Sequence, residues 1–129
     1  MNRLIRFTLA VLVVAACVLL LDYLNVSRKE RQLSHAVNTI GGRYGSLPCW
    51  PLGTEYRITL TSVPDPGQLR GLTVANSMRG WVGIAFEDCE LSHADIDRIL
   101  TELPQCHLFV VHDGHHKKLS QSRDKADEP

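Results

Sequence analysis

Apolar and polar positions divide the chain into three regimes. Phe7 to Leu21 is apolar throughout except for Thr8. With Leu4, Ile5, Tyr23 and Leu24 it reaches membrane-spanning length, with Arg6 snorkelling and Asp22 at the interface. An apolar run without a polar face suits lipid better than the core of a soluble domain. Leu33, Val37 and Ile40 then recur at i, i+4 and i+7, which predicts a second helix over Ser27–Ile40, either separate from the first or continuous with it. Ser27 and Glu30 have capping-box spacing, and Gly41-Gly42 marks the stop. Further on the period shortens to two. Ile58 and Leu60, and later Ile84 and Phe86, each place two side chains on one face of a strand. Between them and after them come helical spacings: Leu69 and Leu72, then Ile96, Ile99, Leu100 and Leu103 up to Pro104. Ser92 precedes the second of these as an N-cap, with Asp95 three residues on.

Trp81, Ile84, Phe86, Cys89 and Leu91 fill the pattern L-x-x-L-x-L-x-x-N/C-x-L in order, and Cys106, Phe109 and Val111 restart it. Ile58, Leu60 and Val63 form a partial copy upstream, with Glu55 and Asp65 off-pattern. On these residues the chain resembles the leucine-rich-repeat family of the cysteine-containing strand–helix type, and in particular small bacterial membrane-anchored proteins carrying such repeats. The resemblance covers Tyr56 to Val111 well and Arg28 to Tyr44 loosely. It implies an α/β fold: an N-terminal transmembrane helix, a helical N-terminal cap, and about two repeats with parallel strands. The boundaries that follow are an anchor over 1–26, a helical cap and loop over 27–54, a repeat domain over 55–114, and a disordered polar tail over 115–129. About three repeats are ordinarily needed to bury a stacked core. The 28–40 helix and the loop Gly45–Gly53, with Trp50 and Leu52, are therefore expected to cover the open end.

Three readings of the leader stand side by side. It is an uncleaved signal anchor, a cleaved signal peptide with Ala15 and Ala16 near the site, or a lipoprotein signal with Val14-Ala15-Ala16 before Cys17. Apolar length favours the anchor. Arg3 and Arg6 before the span nearly balance Arg28, Lys29 and Arg31 after it, and the lean is to a domain on the non-cytoplasmic side.

Lysine plus arginine equals aspartate plus glutamate, 14 each, and no basic stripe points to nucleic acid. Apart from Cys17, the cysteines are Cys49, Cys89 and Cys106, an odd set without C-x-x-C spacing. A disulfide from Cys49 is left open. His112, His115 and His116 cluster with Asp113, but a tail gives ligands no rigid support, so no metal or cofactor is expected. Cys106 and His107 are strand neighbours and point to opposite faces, which separates thiol from imidazole. The expected role is a non-enzymatic protein-interaction or scaffold module. The alternatives are a truncated repeat protein without a ligand and, behind it, a metal- or thiol-dependent enzyme. The resemblance implies that partners meet the outward strand positions. These are Arg57, Thr59 and Thr61, then Gly83, Ala85 and Glu87, then Leu108, Val110 and His112, with Thr59, Ala85 and Val110 in a row.

Overall fold

The computed structural model describes residues 2–119. The expected tail over 120–129 lies outside them. The first element is a single helix, α1 (Arg3–Thr39), about 55 Å long at 1.5 Å per residue. Among the described residues it is the one helix long and apolar enough to cross a membrane, and none of its most apolar 18-residue window is buried. Its carboxyl half serves the domain instead. Leu33 and Val37 are fully buried against the sheet. The helix runs through Ser27 without interruption, so Ser27 caps nothing. All five residues from Ser27 to Arg31 are charged or hydroxylated, yet none is a helix breaker, and the 3.6-residue ladder continues. The helix ends where the glycines demand. Gly41 takes φ +81, and the N–H groups of Gly42 and Gly41 donate to the carbonyls of Val37 (2.9 Å) and Asn38 (3.0 Å), a Schellman closure.

Five strands follow: β1 (Arg43–Leu47), β2 (Thr54–Leu60), β3 (Gly80–Glu87), β4 (His107–His112) and β5 (His115–Lys118). They form one mixed sheet in the order β1-β2-β3-β4-β5. The inner three are parallel, and β1 and β5 are antiparallel edges. Two helices make the crossovers: α2 (Pro66–Leu72), followed by a 3-10 turn over Thr73–Ser77, and α3 (His93–Glu102). Both begin with a complete capping box, Asp65 with Gln68 and Ser92 with Asp95. Each box satisfies two helix-end donors.

The core lies on the helix side of the sheet. It joins Tyr56, Ile58, Leu60, Val82, Ile84, Phe86 and Leu108 to Leu33, Val37, Leu69, Leu72, Ile99 and Leu103, all at most 2% exposed. Cys89 is 8% exposed. Its thiol donates to the carbonyls of Glu87 (3.4 Å) and Leu60 (3.7 Å), across the two strand ends. Leu91 packs against the same core.

Four expectations change. Gly45–Leu47 belongs to β1, because its alternation with β2 places Tyr44 and Ser46 opposite Ile58 and Tyr56. His115–Lys118 is β5 and not tail: Asp113 (φ 48) and Gly114 (φ 78) make the two-residue turn that folds it onto β4. Trp50 and Leu52 do not cover the core; they are 37% and 70% exposed. The end they were to close is filled by α1 and β1. In β4 the register is one residue off the expected one. Leu108 pairs with Ile84 and Val110 with Phe86, so a single-residue slip reverses every side chain.

Candidate functional site

Among the described residues all three helices lie on one face of the sheet, and the other face carries none. That second face is where the outward strand positions meet. Arg57 and Thr59 of β2 stand beside Gly83 and Ala85 of β3, as expected. In β4, however, the residues alongside are His107, Phe109 and Val111, because Gly83 pairs with His107, Ala85 with Phe109 and Glu87 with Val111. Leu108, Val110 and His112 point to the helix side, and the open-face row is Thr59–Ala85–Phe109. Thr61 lies just past the end of β2 and is exposed.

The expected positions also missed the side chain that dominates this face. The repeat pattern gives Trp81 an interior place. It sits three residues before Ile84 on an extended strand, so when Ile84 faces in, Trp81 faces out. Its indole lies across Gly83, and a Cβ there would meet Trp81 Cη2 at 2.2 Å. The ring stacks on the His107 imidazole, centroids 5.4 Å apart and planes 16° apart, and tilts against Phe109 at 6.3 Å. Such offset aromatic contacts add about 0.5–1.5 kcal/mol beyond burial. Arg57, Thr59, Trp81, Ala85, Phe109 and His116 line a shallow depression of about 300 Å³ over this row.

Charged groups border the patch. Arg43 of β1 bridges to Glu87 across the sheet, and Arg57 pairs with Glu55 at 2.6 Å. These are exposed pairs that position side chains and contribute little stability. Lys118 stands opposite Phe109, and His116 opposite Val111. Alternation in β2 and β3 marked this face correctly. The signal for Trp81 was also present, in the parity of Trp81 against Ile84. His107, Phe109 and His116 carried no such signal, because Leu108 to Val111 is apolar at every position and fits either parity.

The nucleophile candidates sit elsewhere. Burial raises the Cys106 thiol to about 11. Burial, then the Asp88 charge, also holds the Cys89 thiol above its ordinary range. Both thiols are protonated at neutral pH, the unreactive form. Cys17 and Cys49 are exposed, and all four cysteines are free. Among the described residues no group of three or more His, Cys, Asp or Glu side chains is arranged to hold a metal ion. His112 and His115 pair across the β4–β5 hairpin on the helix side, and His116 lies on the open face.

Comparison with family models, with curated proteins and with solved structures yields no match.

Proposed function

We propose that the chain is a single-pass membrane protein whose domain is a non-enzymatic protein-interaction or scaffold module. Partners meet it on the helix-free face of the sheet. The observation that carries this reading is the Trp81–His107–Phe109 cluster. It is a pre-assembled aromatic surface on a rigid sheet, bordered by paired charges, and aromatic residues of this kind anchor protein contacts. Five strands at about 4.8 Å spacing make a broader platform than the three that the sequence pattern marks.

We infer that the domain is built from leucine-rich-repeat-like units. Ile58 and Leu60 stand in register with Ile84 and Phe86, 26 residues on, and those with Leu108 and Val110, 24 residues further. The capping boxes at Asp65 and Ser92 recur with the same plan. These periods fall in the roughly 20–29 residue range of the family, and Cys89 supports the reading from its place inside the turn.

The test is site-specific photocrosslinking of the full chain in its own membrane. A photoreactive side chain replaces Thr59 or Val111 on the open face, or Asn38 or Thr101 on the helix layer. Adducts with another protein from the open-face positions alone support the proposal. Adducts from the helix layer alone, or none from any position, overturn it.

A further inference from the structure

The loop between β1 and β2 buries none of its apolar residues in the core. From Gly45 to Gly53 every residue is exposed, and from Tyr44 to Thr54 none is charged. Leu47 is 60%, Trp50 37% and Leu52 70% exposed. A water-facing loop of that composition forfeits the solubility that surface charge provides. What distinguishes it from an ordinary exposed loop is where it is fastened. Trp50 packs edge-on to Tyr23, centroids 5.4 Å apart, and its Nε1–H donates to Asp22 at 3.1 Å. Arg79 grips the Asp22 carboxylate through two nitrogens, at 2.7 and 3.0 Å, and donates to the Pro51 carbonyl at 3.0 Å. The loop is thus held at the level of residues 22 and 23 of α1.

That level is the end of the apolar stretch. Leu4 to Leu21 covers about 26 Å along the helix axis at 1.5 Å per residue, close to the roughly 30 Å of a hydrocarbon core. Asp22 and Tyr23 therefore lie at the boundary between chain and headgroup when α1 spans a bilayer. We infer that the Leu47–Leu52 segment, from the end of β1 into the loop, is a second membrane contact, with Trp50 and Leu52 seated in the lipid interface beside the helix. The occupant is the bilayer surface, whose apolar layer is continuous with the exposed surface of α1. Tryptophan and tyrosine favour this depth because an apolar ring and a polar N–H or O–H are both satisfied there. Two contacts on one side of the span hold the domain at a fixed attitude to the membrane, where a single helix leaves it free to tilt.

The inference rests on the reading of α1 as a membrane span, and the experiment separates the two. The full chain is reconstituted in phosphatidylcholine vesicles in two single-tryptophan forms, Trp81→Phe and Trp50→Phe. Flotation after alkaline carbonate treatment tests the span. Quenching by lipids brominated near the headgroup, against quenching by aqueous iodide, tests the loop. Trp50 is expected to be quenched severalfold more strongly by the lipid than Trp81, and iodide to show the opposite order. In the Trp81→Phe background, Leu52→Glu is expected to reduce lipid quenching of Trp50 and to leave the circular dichroism spectrum unchanged. Protein that stays with the vesicles through carbonate while its Trp50 is quenched only by iodide overturns the loop contact and leaves the anchor standing. Protein stripped by carbonate overturns both. Lipid quenching unchanged by Leu52→Glu also overturns the proposed seating of the loop.

Discussion

The two faces of the sheet are made by the same strands and differ in almost every physical respect. On the helix side of β2 and β3, side chains at alternate positions are buried, and their sizes are fixed by what packs on them. On the open side, the neighbours of those residues include Gly83 and Ala85, and Gly83 is so small that a tryptophan from the strand's own start lies across it. One face is a core and the other a surface with its own internal arrangement. Stability and recognition can therefore be varied separately, because alternation assigns each residue to only one of them.

The largest expected effect is therefore one-sided. Phe86→Ala removes a fully buried ring between Leu60 and Val110 and is expected to cost about 3–5 kcal/mol, a large share of the stability of a small domain. Phe109→Ala, on the neighbouring strand and the opposite face, removes a half-buried ring and is expected to cost about 1–2 kcal/mol. Denaturant unfolding of the two variants checks this, and equal losses would erase the distinction between the faces.

Gly83→Ala sharpens the comparison from the other direction. The new methyl group cannot coexist with the indole of Trp81, whose nearest atoms would lie at 2.2 and 2.5 Å. The ring must swing away, and the backbone around it is already an ordinary strand. The expected result is a red shift of Trp81 emission in the Trp50→Phe background, loss of open-face crosslinks, and a stability change within about 1–3 kcal/mol. Unchanged emission would mean that the aromatic cluster is not set by Gly83.

How much of this was legible follows from the same alternation. Ile58, Leu60, Ile84 and Phe86 stand between polar or small neighbours, so their parity is unambiguous, and both the core face and its strands could be read. Ser92 and Asp95 announced α3 because a capping box is a local device. The apolar run Leu108–Val111 has no parity, and its register is decided by the length of the loop after α3, a tertiary property. The β5 strand is written in histidines and lysines, residues that ordinarily mark solvent. It exists because Asp113-Gly114 folds the chain back onto an available sheet edge. The loop at Trp50 reads as a cover for the open end because its letters are apolar. Its contacts with Asp22 and with Arg79 each span 28 residues of sequence, the Arg79–Asp22 pair behind them spans 57, and no short-range pattern reports that.

Smaller effects come from the helix layer. Ser92→Ala removes one half of the capping box, where the hydroxyl accepts from the Asp95 N–H at 3.1 Å, and is expected to cost about 1 kcal/mol. It leaves the open face untouched, so crosslinking there should persist. Loss of crosslinks at unchanged fold would join the two faces that alternation separates.

The smallest effect depends on pH. The Asp95 carboxylate accepts from the Ser92 hydroxyl at 2.8 Å and from the Ser92 N–H at 3.2 Å. Those hydrogen bonds, and then the Arg98 charge at 3.1 Å, hold its carboxyl below the usual carboxylate range. A pKa lowered by folding means that the native state binds the proton less readily than the unfolded chain. The contribution is therefore fully present above the ordinary value of 3.8. It fades as pH falls through the lower folded value. Asp95→Asn keeps an acceptor oxygen but has no such proton linkage. Its stability is expected to fall less steeply than that of the native chain as pH drops below about 4, while the two curves run parallel above pH 5. Denaturant midpoints taken across that range measure the difference. Parallel curves down to low pH would show that the Ser92–Asp95 box holds the helix by geometry alone, without discriminating against the proton.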